Sequence, residues 1–243
     1  MKSTDLPNFL MANATDPVVL LGTADSGLPM KVIGIVGGIA SGKSLVAKCF
    51  QRLGAAVLDA DRIGHNVLRQ DSVKSAIRDF LGEGVFDSRG EVLRAAVAEK
   101  VFGLDSTSRD RLTRLEQITH PWIAEQMRNE IQRLRQSTNV PAVVLDAPVL
   151  IKAGWDKMCD RIVFVDADVQ TRQRRALSRG WSADEWRRRE SLQTPLAQVR
   201  KLADSVIDNS AAPESIEQQV REIWRQWGLP YCPPETSADP TVD

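Results

Sequence analysis

Residues Gly37-Gly38-Ile39-Ala40-Ser41-Gly42-Lys43-Ser44 constrain this chain more than any other stretch. Their spacing is G-x-x-x-x-G-K-S, and the flanks matter as much as the spacing. The apolar run Val32-Ile33-Gly34-Ile35-Val36 precedes them and reads as a buried parallel strand. Leu45 to Leu53 follow as a helix, with Val46, Phe50 and Leu53 on one face. A strand that turns through glycine into a helix N-terminus gathers backbone N–H groups and the positive end of the helix around one point, which makes an anion site. Gly37, Gly38 and Gly42 let the backbone approach phosphate with no side chain in the way. In such a loop Lys43 neutralises the β- and γ-phosphates and the Ser44 hydroxyl ligates Mg²⁺. The expected ligand is a nucleoside triphosphate.

Beyond this loop the pattern alternates strands with helices. Gly54 stops the first helix, and Ala55-Ala56-Val57-Leu58 reads as a short second strand ending in Asp59-Ala60-Asp61. Alternate carboxylates at a strand's carboxyl end point to one side, the edge where open α/β sheets place ligands. Either Asp also suits the N-cap of a following helix. Residues 62–136 carry helical apolar spacing, with a break at Gly82-Glu83-Gly84 and a turn at Asp87-Ser88-Arg89-Gly90. The residue before a proline disfavours α conformation, so His120-Pro121 reads as a helix boundary, and His120 as a structural residue there. A helical insert of this size exceeds what a crossover needs and suggests a subdomain covering substrate. Pro141 to Asp146 is a third strand, its Asp146 placed either to hold Mg²⁺ through water or to bond the local loop. Arg161 to Asp166 and Ser205 to Asn209 are the fourth and fifth strands, and Ser215 to Trp227 the last helix.

The stretch between the last two strands is the most basic. Arg172, Arg175 and Arg179 share a helical face. Ser182 and Glu185 then form a capping box for a helix bearing Arg187, Arg188 and Arg189. Arginine-rich helices are commonly solvated faces. Here the segment occupies the slot where P-loop kinases keep a lid, and arginine answers the charge that develops on a transferring phosphoryl group.

Lys+Arg and Asp+Glu both number 32, so no global field recruits nucleic acid. Cys49, Cys159 and Cys232 are scattered and only His65 and His120 accompany them, which suits a reducing cytoplasm rather than a zinc site or disulfide framework. No apolar run approaches the roughly 20 residues that span a bilayer. Residues 1–30 read as a flexible extension, with Val18 to Leu21 a candidate edge strand and Met30 a candidate start. Residues 230–243 read as a flexible tail.

Taken in order, these motifs resemble the dephospho-coenzyme A kinase family over about Lys31 to Leu229. The resemblance rests on the phosphate loop, Leu53-Gly54-Ala55 with Asp59-Ala60-Asp61, Leu115 to Pro121, Asp146-Ala147-Pro148-Val149-Leu150, Arg175 to Arg189 with Gln193, and Ala203-Asp204 with Val206 to Asn209. It implies a three-layer α/β/α P-loop kinase with a five-stranded parallel sheet, a helical acceptor subdomain (62–136), a lid (169–195) and a core of 31–61, 137–168 and 196–229. It also implies transfer of the ATP γ-phosphate to the ribose 3′-hydroxyl of dephospho-CoA, with Mg²⁺. By position, Asp61 resembles the general base and Arg175 the lid arginine, with Arg179, Ile39, Ala40, Ser41, Leu45 and Asn209 on the ATP side, Asn209 near the adenine. Asp59, His120 and Pro148 fall on the acceptor side.

Two departures stand out. Pro148-Val149-Leu150-Ile151-Lys152 carries Lys152 where the family often has Glu, and Leu45 replaces a common Thr. Another small-molecule kinase on the same scaffold is the nearest rival reading. A nucleotide switch is disfavoured by the absence of N-K-x-D and of any L-S-G-G-Q-like stretch.

Overall fold

A computed structural model describes residues 29–102, 106–136, 139–210 and 213–232. The expected extension therefore lies outside the described residues except for its last two, as do the candidate strand at Val18 to Leu21 and the tail beyond Cys232. The strands are β1 (Lys31–Gly37), β2 (Ala56–Asp59), β3 (Ala142–Asp146), β4 (Arg161–Asp166) and β5 (Ser205–Asp208). Helix α1 (Lys43–Arg52) follows β1, and α2 (Ala60–Val67), α3 (Asp71–Leu81), α4 (Arg94–Val101) and α5 (Ser106–Arg135) form the insert before β3. Helices α6 (Val169–Ser178), α7 (Ala183–Ser191) and α8 (Leu196–Arg200) separate β4 from β5, and α9 (Pro213–Gln226) follows.

All strands are parallel, in the order β2-β3-β1-β4-β5. Period-two alternation on β1 explains the three layers. Val32 and Val36 join an apolar cluster with the helical insert, while Ile33 and Ile35 join one with α1 and α9. Both faces are thus buried, as parallel sheets require. At the amino-terminal edge, side chains complete the ladder: Val32 N donates to Asp160 Oδ2 at 2.7 Å and Ile162 N to Asp204 Oδ2 at 2.7 Å. The carboxyl edge is left for the ligand.

The structure corrects two expectations. Helix α5 runs 30 residues straight through Pro121, so His120 marks no boundary. A mid-helix proline costs about 3 kcal/mol. That is outweighed here because Ile123, Met127, Ile131 and Leu134 are buried in the same cluster that Leu112, Leu115 and Ile118 pack against, each buried side chain contributing about 1.5–3 kcal/mol. The apolar stripe decides the helix. Asp59 and Asp61, expected to alternate along a strand, do not: β2 ends at Asp59, which caps α2 by accepting from Arg62 N at 3.0 Å, and Asp61 lies in the first helical turn.

Ser182 caps α7 as expected, accepting from Glu185 N at 3.1 Å, but the Glu185 carboxylate pairs with Arg189 rather than completing the box. The cysteines are free thiols, and no helix among the described residues is long and apolar enough to cross a membrane. Residues 230–232 lie back against the end of α1, so the first residues of the tail expected from 230 are docked: Trp224 Nε1 donates to Pro230 O at 3.1 Å and Cys232 N to Leu53 O at 3.2 Å. Gly54 makes room for this return. Its φ is 108°, and an added Cβ would lie 2.0 Å from Cys232 O. Gly54→Ala is expected to destabilise the fold by roughly 1–3 kcal/mol, read as a lower urea midpoint, with increased proteolysis after Leu229.

Candidate active site

The loop from Gly37 to Ser44 turns at the carboxyl end of β1. Gly42 has φ 97°, and a Cβ there would meet Asn209 Nδ2 at 2.0 Å. A Cβ on Gly38 would meet the Arg172 guanidinium at 2.7 Å. Asn209 explains the tight fit. It sits just past β5, 1% exposed, and its amide donates to Ser41 O at 2.6 Å. Arg175 donates to Ser41 O at 3.3 Å and to Asn209 O at 3.0 Å. The Ser41 carbonyl is therefore tied back by two side chains, which helps hold the turn that starts α1. The Asn209 amide thus holds the loop, and the residue also lines the adjoining cavity.

Lys43 donates to Gly37 O and Gly38 O, each at 3.0 Å. Burial pushes its pKa below the usual lysine value, with Asp146 opposing that shift and Arg172 and Arg179 adding to it. A bound phosphate would favour the charged form of Lys43 and oppose that shift.

Across the sheet edge, Ser44 Oγ donates to Asp146 Oδ2 at 2.9 Å. Register places Asp146 directly beside Asp59, since β2 pairs with β3 there. Ser44 and Asp146 supply hard oxygen donors, which suits Mg²⁺ completed by phosphate oxygens and water. Asp61 stands nearby on α2. Burial raises its pKa, the charges of Asp59 and Asp146 raise it further, and His65 and Lys43 work the other way.

Helices α6 and α7 lie against the loop. Ala40, Ala176 and Trp186 form a small apolar cluster with Ile39 and Trp181 at its rim. Ile39 N donates to Gln193 Oε1 at 2.9 Å. Among the ion pairs here, exposure decides which matters. Arg187–Asp184 is largely in water (66% and 90% exposed), a setting that contributes at most about 1 kcal/mol. Arg172–Glu190, at 2.6 Å and 5% and 24% exposed, is the pair whose rupture would strand a buried charge, at about 3–5 kcal/mol. Arg172 is thus a structural member of the basic run, whereas Arg179 and Arg189 face the cavity.

That cavity, about 800 Å³, brings together most of the residues singled out from sequence: Gly37, Ile39, Ala40, Gly42, Lys43, Ser44, Leu45, Asp59, Asp61, Asp146, Pro148, Arg175, Arg179 and Asn209. Gly38 and Ser41 do not line it; Arg172 lies over Gly38, and Ser41 is fully buried. His120 is also outside. Its ring packs edge-on against Trp155 at 5.1 Å, and burial lowers its pKa. Sequence reasoning missed Phe102, Leu112 and Glu116, which reach the cavity from the insert. Helical periodicity marks Leu112 and Phe102 as apolar, but it carries no sign of which apolar residues face a ligand.

With this geometry in view, comparison with known proteins is specific. A family model described as dephospho-CoA kinase matches residues 31–214. A dephospho-CoA kinase of Carboxydothermus hydrogenoformans is 37% identical over 202 residues, covering 82% of this chain and 96% of that one. One of Geobacter sulfurreducens is 38% identical over 197 residues, covering 80% and 98%. A solved structure from Thermus thermophilus superposes with a TM-score of 0.68 at 30% identity, covering 82% of this chain and 98% of that one. The chain belongs to the dephospho-CoA kinase family.

Proposed function

We propose that this chain transfers the γ-phosphoryl group of ATP to the ribose 3′-hydroxyl of dephospho-CoA, giving CoA and ADP, the last step of CoA biosynthesis. The observation that carries this reading is one cavity onto which the phosphate loop, the Ser44–Asp146 pair, the Asp61 carboxylate and a wall of the helical insert all open. Loop amides and Lys43 bind the triphosphate. Residues 62–136 act as the acceptor subdomain and 169–195 as the lid. Ser44 and Asp146 would hold Mg²⁺, which when bound supplies charge neutralisation at the β- and γ-phosphates.

Asp61 accepts the proton of the 3′-hydroxyl. Its raised pKa makes it a stronger base than an ordinary carboxylate, and in a loose phosphoryl-transfer transition state its larger task is to hold the nucleophile in line. Asp59 keeps α2, and with it Asp61, in place by capping. Arg175 stabilises the transferring group, and its hold on Ser41 O couples that role to loop shape. We also propose a cytoplasmic enzyme, a reading supported by its family and its free thiols.

Incubation with γ-labelled ATP and a panel of acceptors tests the reading: label is expected on dephospho-CoA, and label found only on a nucleoside or nucleotide would overturn it. Asp61→Asn should lower kcat by about 10²–10⁴ with both KM values nearly kept. Arg175→Ala should lower kcat by about 10²–10³, with Arg175→Lys recovering little because the planar fork is lost. The base must be ionised, so activity falls as pH drops through the raised Asp61 pKa. Asp59→Asn still caps α2 but removes a neighbouring negative charge, which lets Asp61 ionise more readily. The acid limb of kcat/KM should therefore move to lower pH in that variant.

A further inference from the structure

The basic side chains lining the cavity divide into two groups. Lys43 comes from α1, and Arg175, Arg179 and Arg189 come from α6, its carboxyl cap and α7, around the triphosphate loop. Lys152 is the one basic residue among the described lining that comes from elsewhere, the turn after β3. It pairs with Glu116 of the insert, whose Leu112 and Phe102 line the same cavity.

Lys152 Nζ donates to Glu116 Oε1 at 2.6 Å and to Oε2 at 2.8 Å. An ammonium has three N–H donors, so one remains beyond those two. The Lys152 side chain is 52% exposed while Glu116 is 18% exposed, so the cation is the accessible partner of the pair. Phe102, which lines the same cavity, is 67% exposed and offers it a large apolar surface. A wall with one available cation and a bare apolar surface matches a ligand that joins an anionic group to a long neutral arm. Dephospho-CoA has that chemistry: a diphosphate links its adenosine to the pantetheine arm. The triphosphate of ATP has its own cations at the loop and does not need this one.

Building on the functional reading above, we infer that Lys152 is the contact for the diphosphate of dephospho-CoA, with Glu116 fixing its position and Phe102 and Leu112 receiving the pantetheine arm. Lys152 is a specificity-determining residue in this arrangement. It does not touch the reacting atoms. The competing account is that the Lys152–Glu116 pair merely staples α5 to the turn after β3, and the two accounts separate by acceptor chemistry.

The test is steady-state kinetics of the full chain and its Lys152→Gln, Lys152→Arg and Glu116→Gln variants. Dephospho-CoA is the acceptor, and adenosine, which has no diphosphate, is assayed as acceptor or as competitive inhibitor against it. Lys152→Gln should raise the KM for dephospho-CoA by roughly tenfold, the loss of one hydrogen bond to a charged group, with kcat and the adenosine constant unchanged. Lys152→Arg should restore most of the affinity. Glu116→Gln keeps an acceptor for Lys152 and removes a negative charge near the diphosphate, so its KM should stay at or below wild type. Equal weakening of dephospho-CoA and adenosine in Lys152→Gln, or no change in either, would overturn the inference while leaving the enzyme assignment intact. A wild-type chain that never phosphorylates dephospho-CoA would instead overturn the functional reading and this one with it.

Discussion

Gly42 holds a left-handed backbone with the Asn209 amide pressed where a side chain would go, and that amide fastens the Ser41 carbonyl. This contact ties the phosphate loop to the far half of the sheet. Asn209 can reach the loop because β4 and β5 pair in register from Val163–Ser205 to Asp166–Asp208, and because its own N–H donates to Asp166 O at 2.7 Å. Arg175 joins the same knot from α6. The loop that binds phosphate, the strand order and the basic helices are therefore one mechanical unit. A shift in any of them changes the direction in which the loop's donors point.

Electrostatics in the cavity follows from the same compactness. Burial lowers the pKa of Lys43 and raises that of Asp61, so each group favours its neutral form more than it would in water. Lys43 rests on two loop carbonyls, and the three carboxylates at the β2 and β3 ends crowd one another. A site with these properties would gain by taking up a polyanion with its counter-cation: phosphate would favour the charged lysine, and the cation would relieve the carboxylates. Helices α6 and α7 are held by a buried Arg172–Glu190 pair and by Trp186 against Ala40, contacts that keep basic side chains near the loop without exhausting them.

Local signals and tertiary outcomes diverged where physics predicts they should. The His120-Pro121 step reads as a boundary because one proline disfavours helix at two residues, yet a continuous buried stripe along α5 overrides it. Asp59 and Asp61 reach the cavity as expected, but by helix capping and a first helical turn rather than strand alternation. Lys152 looked from sequence like a lost carboxylate. Its pairing with Glu116, 36 residues away on another element, depends on how the insert packs and could not be seen in a linear pattern.

The amino-acid sequence by itself determined the phosphate loop, the parallel three-layer scaffold and the order of its strands' acidic ends. Those features arise from short-range rules: glycine's freedom at φ values closed to other residues, the two periodicities of apolar side chains, and a helix terminus left with unpaired N–H groups. Only the tertiary structure decided that Asn209 clamps the loop, that His120 turns away onto Trp155, and that Phe102, Glu116 and Lys152 line one cavity. These depend on contacts between residues distant in the chain, where packing of whole elements sets each side chain's partner and no local spacing encodes the result.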